Sequence, residues 1–566
     1  MARGATPPAV PPLLPILLPI VLTAIAAAVL FSRFLPAPQP IASEPSPRFV
    51  DVTAESGITF QRTAGATLDE VPTTLGGGVV SFDYNRDGHP DLFFINGTAW
   101  PWETKAAWTR FGACALYRNE GDGRFTDVSA EAGLQLVVQG MSAAAGDFDG
   151  DGWTDLFVAA VGECRLLRNQ GDGTFADVTE QAGVGGEPNT WNTGATWIDY
   201  DNDGQLDLVV AQYARWPEDL GLAGAFSVAA MGRSYGTPTG FLGAFPLVYR
   251  NSGDGRFVRV PDSAGLRPTD PQTGLPALGM LAVVPVDADG DAALDLLFSF
   301  HTGGSMLYLN EGDGTFRLWQ GQSGREDRHE GAAAGFATTS VLNMGDRGTG
   351  ERLLALRAAA QLDDADADFA SLPAKFAVVA FDYDHDGNLE LFSTGGRAEP
   401  DAGRLERRFD FAGTPALYWK NGDNWAPAQT PESSAAWMRP LFARGVASLD
   451  FDGDGSVDLV LVPHSGRPVL LRNDQRRELP WLQVDLIGTR SHPDAFGARV
   501  EVHTPRGVLA QTRVPQMGFL AQSSSVLTFG LGEDARVRKI VVHWPSGTRQ
   551  EIVPEGVNRR IVITEK

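Results

Sequence analysis

Two cysteines in 566 residues exclude a scaffold built on disulfides. Cys114 and Cys164 each stand five residues before the Asn of an Asn-x-Gly-Asp-Gly turn, at Asn119 and Asn169. They therefore hold equivalent places in successive repeats. An oxidising compartment permits a bridge, but equivalent positions in neighbouring units tend to exceed the roughly 7 Å Cα limit. Two buried free thiols are the preferred reading. Positive charge is also short, with 46 Lys and Arg against 70 Asp and Glu, a net charge of −24. That balance argues against nucleic acid or an anionic surface as a partner. Catalytic patterns are missing as well. No His pair has metal spacing, no Ser sits in a nucleophile elbow, and no Gly-Lys-Ser/Thr follows the Gly-Asp-Gly strings. His89 and His385 fall at variable positions of acidic loops and are expected to face solvent.

What the chain does have is one nine-residue loop, clearest as Asp147-Phe148-Asp149-Gly150-Asp151-Gly152-Trp153-Thr154-Asp155, followed by Leu156-Phe157-Val158. Carboxylates at positions 1, 3 and 5 of a tight turn face one side, position 7 offers a carbonyl, and the acid at 9 closes a shell of hard oxygens. Such a shell suits calcium. An EF-hand closes at position 12 between helices, whereas here the acid comes at 9 and a strand follows. The loop recurs in register as Asp83, Asn85, Asp87, Asp91; as Asp199, Asp201, Asp203, Asp207; as Asp287, Asp289, Asp291, Asp295; as Asp382, Asp384, Asp386, Glu390; and as Asp450, Asp452, Asp454, Asp458. With three acids in the first loop and four in each of the other five, the loops hold 23 of the 70 acidic residues. Ala292 replaces the glycine at position 6 of the fourth repeated site, which is expected to bind most weakly.

Between loops runs a strand, a tight turn and a second strand, as in Leu116 to Val128 around Asn119-Glu120-Gly121-Asp122-Gly123. Asp-Gly between apolar runs is a hairpin signal. Each repeat is thus about four strands with an acidic loop at one corner. Phe49 to Gly57 reads as the second half of a repeat without a first, and Asp450 to Asn473 as a first half without a second. A ring in which the N-terminal strand completes the last unit uses both and removes the exposed edge. Ser340 to Leu356 reads as a unit that has lost its carboxylates. The expected fold is all-β: a seven-bladed β-propeller with calcium loops at 48–478, then a small β-rich domain at 479–566.

The first 35 residues are read as a signal-anchor. Leu13 to Phe31 carries Thr23 as its one polar side chain, long enough for an N-terminal membrane helix and long for a cleaved signal peptide. Ala26-Ala27-Ala28 keeps cleavage open as the alternative. Residues 36–47 are a Pro-rich linker. Because loops of this kind fill where calcium is millimolar, the main domain belongs outside the cytoplasm, in the periplasm or at the cell surface, or secreted after cleavage.

At the acidic loops the chain resembles the FG-GAP or VCBS repeat family of calcium-loop propellers. Phe496-Gly497-Ala498-Arg499-Val500, Gln511-Thr512-Arg513, Gly518 to Ser523, Phe529-Gly530-Leu531-Gly532 and Trp544-Pro545-Ser546-Gly547 resemble the ASPIC/UnbV domain. The combination is similar to bacterial relatives of the cartilage acidic protein family. The resemblance implies a secreted or membrane-held calcium-binding propeller with a tail domain of unassigned activity. Trp544 to Gly547 itself reads as a turn anchored by a buried indole. For specificity the residues point to an insertion from Tyr213 to Leu247, with Trp216, Tyr235, Phe241 and Phe245, and to Trp100 and Trp102; a lid over the propeller face is the other reading. Two functions follow: a non-enzymatic adhesion or interaction module for an unknown protein or carbohydrate ligand, or a lectin or polysaccharide lyase on the same propeller.

Overall fold

The apolar run after each acidic loop becomes the second strand of a four-stranded antiparallel unit in a computed structural model of the chain, and the sheet of the first unit is extended to six strands. The structure describes residues 47–566 apart from 64–75, 98–111, 216–241, 271–272, 301–304, 320–374, 396–412, 422–423, 429–436, 476–477 and 535. The second such sheet shows the pattern: Gly140–Gly146, Asp155–Ala160, Arg165–Asn169 and Phe175–Asp177 pair in sequence order. Its first two strands are buried throughout. Their sheets are covered on both faces, so they read as continuous apolar or small runs rather than as alternation. The last strand is short and partly exposed, which blunts the outer edge.

Six such units appear among the described residues, numbered 1 to 6 here by their inner strands Val79–Phe82, Gly140–Gly146, Thr190–Ile198, Met280–Val286, Lys375–Phe381 and Ala443–Leu449. Inner strands of units 1 and 2, 2 and 3, 3 and 4, 5 and 6, and 6 and 1 pack on one another. This is a propeller-like array. The metal-free unit expected at Ser340 to Leu356 lies outside the described residues, as does the N-terminal segment. Among the described residues no helix is long and apolar enough to cross a membrane.

The expected closure is present. Phe49–Asp51 pairs antiparallel with Val469–Asn473, Phe49 opposite Asn473, and so supplies the fourth strand of unit 6. Phe49 is 3% exposed. Its ring lies 5.4 Å from Tyr383, 5.9 Å from Phe392 and 5.4 Å from Trp437, which ties the strand to unit 5 as well.

The C-terminal domain is two small sheets around one core. Leu527–Gly530, Trp481–Ile487 and Arg559–Thr564 form the first, and Val508–Thr512, Arg499–His503, Lys539–His543 and Arg549–Ile552 the second. Leu482, Val484, Val500, Val502, Phe529, Ile540, Val542 and Trp544 are buried between them. Trp544 donates to Gln550 Oε1 at 3.2 Å, and the N–H of Gly547 returns to Trp544 O at 2.9 Å, so this turn is structural as expected. Glu565 fastens the C-terminus by accepting N–H groups of Thr489, Arg490 and Ser491 at 3.0, 2.8 and 2.7 Å.

A hairpin of this domain, Gln516–Gly518 and Ala521–Ser523, leaves it and enters the propeller. Ala521–Ser523 pairs in parallel with the inner strand of unit 1, Val79 opposite Ala521. The Gln522 side chain caps unit 2, accepting from Ala145 N at 2.7 Å and donating to Ala145 O at 3.2 Å. Ser523 Oγ accepts from Ser448 N in unit 6 at 2.9 Å, and the hairpin also touches the inner strands of units 4 and 5. Gly78 makes room for it: a Cβ there would stand 1.6 Å from Leu520 O. The hairpin plugs the array from its axis, a role that Gly518 to Ser523 did not disclose in sequence.

Phe49→Ala leaves a cavity at the closing seam, and an unfolding free energy lower by about 3–5 kcal/mol is expected in urea titration. A loss under about 1 kcal/mol would mean that the closing strand carries little of the fold. Burial alone would raise the Glu565 carboxyl, but the Ser546 hydroxyl and the backbone N–H groups hold it down to about 2. Its stabilisation is present above the ordinary carboxylate range and is lost as pH falls through about 2. Urea midpoints between pH 5 and pH 2 should therefore fall more steeply for the native chain than for Glu565→Gln.

Candidate metal centres

Each acidic loop is first a hydrogen-bonded turn. In unit 2, Asp147 accepts N–H groups of Asp151 and Gly152 at 3.1 and 2.7 Å, and Asp151 accepts that of Trp153 at 2.9 Å. These bonds wrap the chain so that carboxylates at alternate positions turn inward. Gly152 has φ +89, a left-handed conformation that glycine adopts without strain. In the fourth of the six loops Ala292 holds the same place at φ +76, a strained position for a residue with a Cβ.

The acid at position 9 does more than close a shell. Asp155 is fully buried. One oxygen accepts the N–H of Phe148 at 3.0 Å, at the start of its own loop, and the other that of Asn169 at 2.7 Å, at the hairpin turn. Asp91, Asp207, Asp295 and Asp458 make the same pair of bonds. The hairpin asparagine then reaches the neighbouring unit. Asn169 Nδ2 donates to Thr154 O in its own loop at 3.2 Å and to Tyr84 O of unit 1 at 2.9 Å. Asn251 bonds Phe148 O of unit 2, Asn310 bonds Tyr200 O of unit 3, Asn473 bonds Tyr383 O of unit 5, and Asn119 bonds Phe451 O of unit 6. The loops are thus stitched into a rim. Sequence reasoning assigned these asparagines to their turns alone.

Five loops bring three carboxylates together, with ligand oxygens within 4.8 Å of one another: Asp147, Asp149 and Asp155; Asp199, Asp201 and Asp203; Asp287, Asp289 and Asp291; Asp382, Asp384 and Glu390; Asp450, Asp452 and Asp458. These groups could hold a metal ion. The first loop forms no such group. Asn85 stands at position 3 and donates to Asp87 Oδ2 at 2.7 Å, so an amide takes the place of the carboxylate there.

Burial is the main cost in these loops. It pushes the carboxyls of Asp91, Asp147, Asp207 and Asp295 up to about 8, with neighbouring acids adding to the effect, and it raises Asp155, Asp382, Glu390 and Asp458 well above the usual range. Asp149 Oδ1 and Asp382 Oδ1 are buried and accept no hydrogen bond. Arginines offset some charge: Arg168 Nε lies 2.8 Å from Asp149 and Arg250 Nε 2.8 Å from Asp201. Both precede the hairpin asparagine, and in unit 4 that place is taken by Leu309. Clustered, desolvated oxygens with few cationic partners are what a hard divalent ion requires.

Three expectations need correction or placing. His385 does not face solvent; it is 2% exposed, because the C-terminal domain covers its loop and Gly532 N donates to His385 O at 2.8 Å. His89 is half-buried against the hairpin turn, where a Cβ on Gly121 would meet its ring. Most of the Tyr213 to Leu247 insertion, with Trp216, Tyr235 and Phe241, lies outside the described residues, as do Trp100 and Trp102. Of the rest, Tyr213 is core, packed 4.2 Å from Trp191, and Phe245 is covered by the Arg267 guanidinium at 4.2 Å. Cys114 and Cys164 are buried and free, as expected.

Comparison with known proteins agrees with these elements. The family described as FG-GAP-like repeat matches residues 83–158 and 147–210, and the family described as ASPIC and UnbV matches 488–566. The chain therefore carries FG-GAP-like repeats and a C-terminal ASPIC/UnbV domain. It is 29% identical to cartilage acidic protein 1 of Mus musculus over 274 residues, which is 45% of this chain and 40% of the relative. With the Homo sapiens protein of that name it shares 28% identity over 45% of this chain and 39% of the relative. The match spans about two fifths of the length of these relatives. Among solved structures, BBS1N in complex with ARL6DN, soaked with mercury, aligns at 10% identity and a TM-score of 0.37, over 76% of this chain and 99% of that one.

The rim stitches have a measurable worth. Asn251→Ala removes both amide donations and the acceptor for Gly253 N, and a loss of about 1–3 kcal/mol is expected in chemical denaturation. Asn251→Asp restores the acceptor yet should cost no less, since the two carbonyls face a carboxylate. Recovery of native stability by the aspartate would remove the role given to the amide.

Proposed function

We propose that this chain is an extracytoplasmic, non-enzymatic interaction module whose acidic loops bind calcium to stiffen a seven-bladed β-propeller. The supporting observation is the set of carboxylates that converge in five loops, with Asp147, Asp155, Asp382, Asp384, Glu390 and Asp458 buried among them. A proton or a cation must answer that charge at neutral pH. Calcium answers it best among common ions, since it accepts six to eight oxygens in adaptable geometry. Each loop offers side-chain oxygens at positions 1, 3, 5 and 9 and a carbonyl at 7. Asp83, Asn85, Asp87 and Asp91 would complete a sixth site through the amide oxygen.

The remaining features fit this reading. A metal-free blade at Ser340 to Leu356 would be the seventh, and the apolar segment from Leu13 to Phe31 would anchor the chain with its loops on the calcium-rich side of a membrane. The net charge of −24 disfavours nucleic acid as a partner. The stitched rim and the plugged axis leave the long insertions to meet a protein or carbohydrate ligand.

Thermal unfolding with millimolar calcium or chelator, alongside metal analysis, tests the proposal. A site held at a hundred times its Kd adds about 2.7 kcal/mol, so a large upward shift with close to six ions per chain is expected. Asp149→Ala should forfeit part of it. The pH dependence has a definite sign. Loop carboxyls raised in the folded state favour its protonated form, so their stabilising share is lost as pH rises through about 8. Chelated protein should melt lower at pH 8 than at pH 6, and calcium should abolish that difference. Identical melts in chelator and calcium would refute the calcium role.

A further inference from the structure

We propose that a cation in the fifth loop, Asp382 to Glu390, latches the C-terminal domain onto the propeller, so that filling this loop and docking the domain are one linked equilibrium. The inference rests on the calcium reading above and goes beyond it, since a loop ion that only stiffened its own unit would leave the other domain indifferent.

The C-terminal domain sits on the loops, and it does so unevenly. Gly532 N donates to His385 O at 2.8 Å, and Gln483 Nε2 donates to Asp450 Oδ2 at 2.9 Å. The Trp481 ring rests on Gly455, where a Cβ would come within 1.9 Å of it. His385 Nε2 meets Gly455 O at 3.0 Å, which joins the fifth and sixth loops under the same cover. Among the described residues no hydrogen bond runs from the C-terminal domain to the third loop, Asp199 to Asp207. That loop is half-exposed and has the Arg250 guanidinium at its edge.

The fifth loop is the most enclosed. Asp382, Asp384 and Glu390 are 5%, 5% and 3% exposed, with carboxylate oxygens within 4.8 Å of one another. Asp382 Oδ1 is buried in this group and accepts no hydrogen bond. Directly above, the backbone of Gly530 comes so close that a Cβ would stand 1.9 Å from Asp382 Oδ2. A small cavity bounded by Asp382, Asp450, Gln483 and Arg560 separates the two parts. Three carboxylates confined at this spacing under a peptide backbone repel strongly in a low dielectric. Without a cation this repulsion favours spreading of the loop, and spreading drives Asp382 into Gly530. With a cation the oxygens draw inward and the cover seats. Linkage makes the effect reciprocal: whatever lifts the domain must weaken cation binding in the loops it covers and spare the loop it does not.

Hydrogen exchange of the full chain across a calcium titration reads every part of this at once. Calcium-dependent protection of peptides covering 382–390 and 199–207 gives two site-resolved midpoints, and protection of 516–523 reports the plug. Chelation should raise exchange in 516–523 together with 382–390. Gly530→Val, which adds a side chain where none fits, should move the 382–390 midpoint to about tenfold higher calcium and leave that of 199–207 in place. Gln483→Ala is the milder second variant and should move the 450–458 midpoint in the same direction. If calcium protects the loops but 516–523 stays protected in chelator, or if neither variant moves its midpoint, the latch is wrong while calcium binding stands. If no loop gains protection from calcium, the calcium reading itself falls.

Discussion

A buried carboxylate must be answered, and most of this fold follows from how that is done at position 9 of each loop. Asp155 spends its two oxygens on two backbone N–H groups, one at the start of its own loop and one at the hairpin turn. This fixes the loop against the third strand of its sheet. It also presents the carbonyl of position 2 outward, where the asparagine of the next unit takes it, as Asn251 does with Phe148 O. One acid therefore sets loop shape, sheet register and the contact between sheets. Oxygens at positions 1 and 3 converge in five of the loops, joined by the acid at 5 in the third and fourth loops and by the acid at 9 in the second, fifth and sixth. Rim and candidate metal site are two consequences of one arrangement.

The axis is handled differently. Inner strands approach one another near the centre of the array, and small residues such as Ala143, Ala144 and Ala145 keep the spacing. The gap that remains is filled by the C-terminal hairpin, which adds a strand to unit 1 and bonds the inner strands of units 2 and 6. Arg513 braces its base, donating to Asp494 O at 2.7 Å and pairing with Asp485 at 2.5 Å. Asp494 in turn accepts from Asp147 N at the second loop. Residues that resemble the ASPIC/UnbV pattern are thus largely those that dock this domain.

Much of this was legible in the sequence because it is local. The loops announce themselves by acids at alternate positions with glycine at the turn, and the closing strand by a half-repeat at Phe49 that lacks its first half. Strand pairing within a unit follows from adjacent hairpins. What escaped was non-local. The asparagine stitches need the neighbouring unit in place before the amide has a second acceptor. The plug could not be read because Gly518 to Ser523 shows no strand periodicity, and its partner at Val79 lies at the other end of the chain. His385 looked exposed for the same reason: its cover comes from another domain.

The loops are therefore unequal despite one pattern, and the inequality has a physical direction. Where Arg168 or Arg250 stands at the loop edge, part of the negative charge is answered by the chain itself, at partly exposed sites where an ion pair is worth little and solvent screens the rest. Where the C-terminal domain closes over Asp382 and Glu390, solvent is shut out. A desolvated carboxylate gains most from a cation, because the alternative is to keep a proton or to stay apart from its neighbours. Dependence on metal should rise with enclosure, from the third loop to the fifth. The most enclosed loop is also the one on which the second domain rests, so the charge that is hardest to bury alone sits at the joint between the two folds.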